Sequence, residues 1–301
     1  MKTIVSASLG SSKRNHKVNI SLLGEDFCIE RIGTDGDLSR AMQLLKDLDG
    51  KVDAIGLGGI DLYLYADGKR YVIRDAQRLR KVVKKTPVVD GSGLKDSLER
   101  ETIRFLAEVE GLPLSTKSVL MVSAVDRFGM AEALHGLGCK IIFGDLIFGL
   151  NIPIPIRTMD NFKMLAKIIL PVVTKMPFKI LYPTGSKQEN NSSDKYARFY
   201  YESDIIAGDY LFIRKYMPKD MRGKWILTNT TTQQDVDDMK ARGVELLITT
   251  TPVFNGRSFG TNVLEATLLA LLDKKWEEVS SQDYLEILKK LDYKPRIERL
   301  N

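Results

Sequence analysis

SVLMVSAVDRFGMAEALHGLGCKIIFGD, residues Ser118–Asp145, decides the fold. Its first eight residues, Ser118–Val125, form a near-continuous apolar run, the pattern of a strand buried on both faces of a parallel sheet. Phe128–Leu137 follows with helical character, and Lys140–Phe143 is a second short apolar strand. Strand, turn, helix, strand is how a doubly wound nucleotide-binding sheet begins. The alternation continues downstream. Helices are expected over Phe162–Lys175 (bent or broken at Pro171), Lys195–Glu202, Gln233–Arg242 and Asn262–Leu272, with a last helix from Ser281 to about Leu291. Strands are expected over Asp204–Gly208, Trp225–Thr228 and Glu245–Thr249. The polar stretch Ser186–Asp194 reads as a loop.

Upstream of Gly111-Leu112-Pro113, a turn cluster that reads as a boundary, the pattern changes. Thr3–Leu9 is a strand. Val18–Leu23 and Phe27–Ile32 flank Gly24-Glu25-Asp26 as a hairpin, and Asp37 caps a helix to Leu48. Val52–Leu57 opens a second round: a hairpin over Leu62–Tyr65 and Arg70–Ile73 around Asp67-Gly68, a helix over Asp75–Lys84, the strand Val88-Val89, and a helix over Lys95–Val109. The fold class expected is α/β in two domains: an N-terminal α/β domain with two β-hairpin insertions, and a C-terminal Rossmann-like doubly wound parallel sheet. The expected boundaries are 1–113 for a substrate domain, 114–279 for a nucleotide-binding domain, and 280–301 for a helix and tail packing back on the first.

Composition narrows the function. A chain of 301 residues exceeds what one hydrophobic core usually serves. Only Cys28 and Cys139 are present, without metal-ligand spacing, so neither a disulfide framework nor a zinc site is expected. Two histidines, His16 and His135, disfavour a His-based triad, and no metal is expected. The most apolar later stretch, Leu165–Val173, is interrupted by Lys167 and Pro171 and cannot span a bilayer. The expected location is cytoplasmic. The net charge is +6, but the bases are interspersed with acids, and the run Arg78 to Lys85 sits at a helix C-terminus. No nucleic acid and no membrane are therefore expected as partners, a homodimer is left open, and Lys13, Arg14, Lys95, Arg127 and Arg257, each beside a strand-end loop, suit a small anionic substrate or cofactor.

In open parallel sheets ligands bind beyond the carboxyl ends of the strands. Three such loops in the first half, around Ser8–Arg14, Gly56–Asp61 and Asp90–Lys95, are rich in glycine or hydroxyl residues. Backbone amides and hydroxyls can grip an oxygen-rich ligand there, with Ser8, Ser11, Ser12, Gly59 and Ser92 as substrate-binding candidates. Lys95 is the candidate proton-handling group, oriented by Asp61 or Asp90. In the second half the turn offers Ser123, Asp126, Arg127 and Gly129, one glycine where a dinucleotide fingerprint has three. Asp145 stands 22 residues after Ser123, close to the spacing at which an acid meets the ribose of NAD. Asn229, Thr230 and Thr250 close two further strand ends. Tyr182–Lys187 lacks the Walker spacing of a P-loop.

The segments IVSASLGSSKR, GLGGIDLYLYADGKRYVIRDA, TPVVDGSGLKDSLER, VSAVDRFGMAEAL, FGDLIFGLNIPIPIR, LYPTGSKQ and TTTPVFNGRSFGTNV resemble a bacterial family labelled quinate 5-dehydrogenase, across nearly the whole chain. The resemblance implies kinship with shikimate dehydrogenase-like enzymes: an N-terminal substrate domain, a C-terminal nicotinamide domain and a catalytic Lys–Asp pair, with Lys95 as the lysine. Two departures stand out, the missing glycines of the cofactor loop and the lack of a match to the substrate-binding serines. The function expected is an NAD-dependent (rather than NADP-dependent) oxidoreductase acting on a hydroxyl of a small polyhydroxylated carboxylate. The alternative is a non-redox enzyme or sensor binding a nucleotide or sugar phosphate, which the missing glycines fit better.

Overall fold

The computed structural model describes residues 1–177, 195–251, 260–272, 274 and 276–301, with backbone alone at the short paired strands β13 (Val253–Phe254) and β14 (Arg257–Ser258). The turn expected at 182–187, the loop expected at 186–194 and the Arg257 side chain lie outside the described residues.

The fold is α/β. Its first sheet contains strands β1 (Lys2–Ser8), β2 (His16–Leu22), β3 (Glu25–Gly33), β4 (Ala54–Gly58) and β7 (Val88–Val89) in the order β2-β3-β1-β4-β7. Strand β1 is central because both its faces are apolar: Ile4, Val5 and Ala7 are all buried. It pairs in parallel with β3 and β4, with Ser6 level with Arg31 and Gly56. The first hairpin expected from sequence is present, its turn made by Leu23 and Gly24 at positive φ. It is not a separate insertion, since β3 is itself a sheet strand and β2 extends the sheet antiparallel to it. The second hairpin, β5 (Tyr63–Ala66) and β6 (Lys69–Val72), pairs within itself around Asp67-Gly68. Helix α1 (Leu38–Leu48) is capped by the Asp37 carboxylate, which accepts from the amides of Ser39 and Arg40. Helix α2 (Arg74–Arg80) precedes β7, and α3 (Ser92–Glu108) follows it.

The second sheet has the order β15-β12-β11-β10-β8-β9, with β8 (Ser118–Met121), β9 (Lys140–Phe143), β10 (Ile205–Ala207), β11 (Trp225–Thr228) and β12 (Leu246–Thr249) all parallel and β15 (Arg296–Arg299) antiparallel at the edge. Around it lie α4 (Phe128–Gly136), α5 (Met159–Val173), α6 (Ala197–Tyr201), α7 (Tyr210–Tyr216) and α8 (Gln233–Ala241). Helix α5 runs through Pro171, which sits on its exposed side near the last turn. The apolar run Ser118–Val125 is strand only to Met121. Val122 still donates to the Ala207 carbonyl at 2.9 Å, and the chain then leaves the sheet. The Phe162 ring of α5 stacks on Phe143 of β9 at 4.4 Å and on Phe128 of α4 at 5.2 Å, which fastens both helices to this sheet.

In both sheets the chain first steps to one side of the starting strand and then crosses to the other. The places where direction reverses lie between β1 and β4, and between β8 and β10. The chain then returns. Helix α9 (Thr261–Leu271), which the sequence reading allots to 114–279, packs on β4 and β1 of the first sheet. Helix α10 (Ser281–Lys290) packs on α3, whereas β15 joins the second sheet.

The seat of α9 is tight. A Cβ on Gly56 would lie 2.7 Å from the Asn262 carbonyl, and Gly91, at φ +98°, faces the Asn262 amide at 2.8 Å from its own imaginary Cβ. Glu265 accepts from the Gly91 amide at 2.6 Å, fixing the start of α3 to α9. Its carboxyl is held above the usual range by burial first and by Asp90 next.

Two outcomes are expected. Gly56→Ala, by forcing α9 off β4, lowers unfolding stability by about 1–3 kcal/mol in urea titrations. Glu265 binds its proton more tightly folded than unfolded, so the stability it contributes is full below its ordinary value of 4.5 and is lost as pH rises through the folded value. Glu265→Gln removes that component, so the fall in stability between about pH 5 and pH 8, read by urea midpoints, is smaller than in the unaltered protein.

Candidate functional site

Both reversal points open into one cavity of about 210 Å³. From the first sheet come Gly10, Gly58, Gly59, Asp61, Asp90 and Lys95. From the second come Asp126, Arg127, Asp209 and Asn229, and the return segment adds Gly260 to Asn262. A larger cleft of about 660 Å³ shares Gly10, Gly58, Gly59, Asp209 and Asn229 with it and extends to Ser8, Ser11, Lys13, Arg14, Arg31 and Thr230 to Gln234. The floor is glycine because neighbours pass close: a Cβ on Gly58 would sit 3.0 Å from Ser8 Oγ, and one on Gly59, at φ +75°, would sit 3.1 Å from the Gly10 backbone nitrogen.

The smaller cavity is walled by charge. Lys95, one turn into α3, donates to Asp61 at 3.3 Å, and both side chains are mostly buried at 13% and 17% exposure. Burial lowers the lysine's proton affinity, but Asp61 and then Asp126 more than reverse this, so the ammonium stays charged at neutral pH. In that charge state Lys95 presents a cation and hydrogen-bond donors to the cavity. Asp90 accepts from the Leu62 amide at 2.6 Å and from the Ser92 hydroxyl. Burial first, then Asp61, raises its carboxyl above the ordinary range. Arg127 is buried, ion-paired with the equally buried Glu99 of α3, and lies 3.6 Å from Asp209. Burial pushes Glu99 up to about 7 against the pull of Arg127. Asp209 is held in turn by the Asn229 amide at 2.9 Å. These contacts tie α3 to the turn after β8 across the cavity.

The remaining sequence candidates divide. Ser8, Ser11, Gly59 and Thr230 line the larger cleft; Asp126, Arg127 and Asn229 line the walls described above. Ser12 does not line either; its amide is spent on Asp35 at 2.7 Å. Ser92 fixes Asp90 and the Tyr63 carbonyl, and Ser123 donates to Asp126 at 2.6 Å. Thr250 is buried behind the wall. Gly129 serves packing, since a Cβ there would lie 2.3 Å from the Asp96 carboxylate of α3. Asp145 Oδ1 accepts from the amides of Ala124 and Val125, both at 2.9 Å. The carboxyl is pushed up to about 7 by burial, opposed by the Val125 amide. The amides after β8 that would grip a pyrophosphate are thus occupied, and Asp145 faces them rather than a ribose.

Sequence reasoning missed Arg31, Leu211, Phe212 and Lys215 as wall residues. A signal for Arg31 existed: a cation near the carboxyl end of the strand expected over Phe27–Ile32. Helix α7, which carries the other three, left no readable period in seven residues. Among the described residues no cluster of three or more His, Cys, Asp or Glu could hold a metal ion, and no helix is long and apolar enough to cross a membrane.

A family model described as Domain of unknown function (DUF8754) matches residues 93–300, and one described as Domain of unknown function (DUF8753) matches residues 3–90. No curated protein matches the sequence. Solved structures similar to the chain include a Mycobacterium smegmatis protein in complex with β-D-fucofuranose, at 9% identity and TM-score 0.39, covering 100% of this chain and 92% of that one. A periplasmic solute-binding protein of an ABC transporter from Actinobacillus succinogenes with bound D-allose has 12% identity and TM-score 0.38, covering 100% and 98%. The periplasmic binding component of the arabinose ABC transporter from Shewanella, bound to L-arabinofuranose, has 10% identity and TM-score 0.38, covering 97% and 96%.

These findings correct the expectation of a quinate 5-dehydrogenase relative, of an NAD-dependent oxidoreductase and of NAD as cofactor. The family models that match the chain carry no such description. The loop after β8 gives the physical reason, with its amides closed off by Asp145 and its one glycine spent on helix packing. The chain belongs to the family described as Domain of unknown function (DUF8754).

Proposed function

We propose that the cleft binds a small polyhydroxylated molecule bearing an anionic group, a sugar phosphate or a nucleotide, without redox chemistry. The observation that carries this reading is that both strand-order reversals open into one cavity. In open α/β sheets that position is where ligands sit, and here two such edges converge. On this reading the chain has two doubly wound lobes, one per sheet, with α9 returning to the first and β15 to the second.

The chemistry of the wall supports it. A ligand hydroxyl both donates and accepts, so it is best matched by carboxylates beside cationic donors. Asp61 with Lys95, and Asp209 with Arg127, are such pairs. Ser8, Ser11 and Gly59 would contact the ligand from the first lobe, Asn229 and Thr230 from the second. Ser12, Ser92, Ser123 and Asp90 would position their neighbours.

Thermal melts with a panel of pentose and hexose phosphates and nucleoside monophosphates test the proposal. A binder at about 100 times its Kd stabilises by about 2.7 kcal/mol, which raises the melting midpoint by several degrees. A panel with no shift sinks the reading. Calorimetry on Lys95→Ala and Asp61→Asn is expected to give about tenfold weaker binding each. The double variant should lose less than the product of the two, because the groups act as a pair.

A further inference from the structure

The larger cleft contains a cation, Arg31, that no carboxylate among the described residues contacts directly, although Asp35 acts on it from farther off. Arg31 projects from the carboxyl half of β3, level with Ser6 of β1. Its guanidinium donates only to neutral acceptors: the Ser11 carbonyl at 3.0 Å, Ser8 Oγ at 3.0 Å and Asn15 Oδ1 at 3.4 Å. Among the described residues, no carboxylate lies within ion-pair distance of Arg31, Lys13 or Arg14, although all three line the same cleft. Burial first, and the like charge of Arg14 next, push the guanidinium down to about 10, against a smaller opposing pull from Asp35. A half-buried cation beside two others is unfavourable unless an anion joins them.

The surroundings are built to hold that cation still. Gly10 leaves room for it, since a Cβ there would lie 2.8 Å from Arg31 Nη2. The loop 10–15 is tied at both ends: Ser12 donates to Asp35 at 2.7 Å, and Gly33 donates to Asn15 Oδ1 at 2.6 Å. Ser8 Oγ accepts from Gly10 and from Arg31, which leaves its own hydrogen to donate to a guest.

We propose that Arg31, with Lys13, Arg14 and the Ser8 hydroxyl, is the seat of a phosphate monoester, so that the ligand lies with its phosphate in the larger cleft and its hydroxyls toward Asp61 and Lys95. Three cations match a dianion better than a singly charged carboxylate. The orientation rests on the reading of the cleft as a ligand site; the phosphate seat itself does not.

Inorganic phosphate is the probe, followed by calorimetry and by ³¹P line broadening, with acetate as the singly charged control. Phosphate is expected to bind, acetate to bind about tenfold more weakly, and Arg31→Ala to cost phosphate about tenfold or more. Arg31→Lys should recover part of the loss. The exposed pair Lys13→Ala/Arg14→Ala, which leaves the fold alone, should weaken phosphate and flatten its salt dependence. Arg222→Ala, on a remote surface pair with Asp220, should change nothing. Phosphate affinity equal in the unaltered protein, Arg31→Ala and the double variant, or lost equally in Arg222→Ala, overturns the seat. Competition separates the two readings. If D-ribose 5-phosphate displaces phosphate and D-ribose does not, the seat takes the phosphate of an organic ligand. If the seat binds phosphate but no panel compound competes, the seat stands and the sugar-phosphate reading falls. If panel compounds bind and Arg31→Ala leaves their affinity unchanged, the seat falls and the cleft reading stands.

Discussion

The contact of Thr261 and Asn262 with Gly56, Gly58 and Gly91 is the constraint on which the cleft depends. After the last parallel strand of the second sheet the chain must return to the first. It does so by driving the start of α9 onto the carboxyl end of β4, where any side chain at Gly56 would collide with backbone. Asn262 then donates to Ser6 Oγ at 2.9 Å, and Glu265 holds the Gly91 amide. That return brings the ends of β1 and β4 opposite the ends of β8 and β10.

The two ends of the cleft handle charge differently. In the smaller cavity positive and negative groups are paired, and burial is offset by Coulomb attraction within the protein. Lys95 stays charged because Asp61 and Asp126 outweigh its desolvation, and Arg127 because Glu99 does the same. Around Arg31 the hydrogen-bond acceptors among the described residues are neutral oxygens, and the nearest opposing charge, Asp35, is not in direct contact. A site that pairs its own charges presents hydrogen-bonding groups to a neutral polyol; a site that leaves cations unmatched selects an anion.

The surplus of positive charge acquires a location from this arrangement. Many bases among the described residues sit in surface pairs such as Arg104 with Glu101 and Glu108, or Lys163 with Asp67 and Glu132. Lys13 and Arg14 were visible in the sequence as cations beside a strand end. Arg31 was not singled out, because a charged residue in FCIERIG reads as an exposed position until the pairing of β3 with β1 is known.

The sequence by itself determined most of the elements and their α/β class. Apolar runs and turn residues are local signals, so SVLMVSAV read as a buried strand, Asp37 as a cap and Asp67-Gly68 as a hairpin turn. It also named Lys95 with either Asp61 or Asp90 as a candidate pair, because the strand-end loops carrying them are legible as loops; the contact with Asp61 is seen in the structure. Only the tertiary structure decided what the shared residues do. Asp145, at the spacing of a ribose-binding acid, turns inward to the amides of Ala124 and Val125, and Gly129 takes the place of a phosphate-loop glycine only to let α4 approach Asp96. Spacing along the chain cannot distinguish these outcomes, since they depend on where a carboxylate or a missing Cβ points across contacts between distant segments.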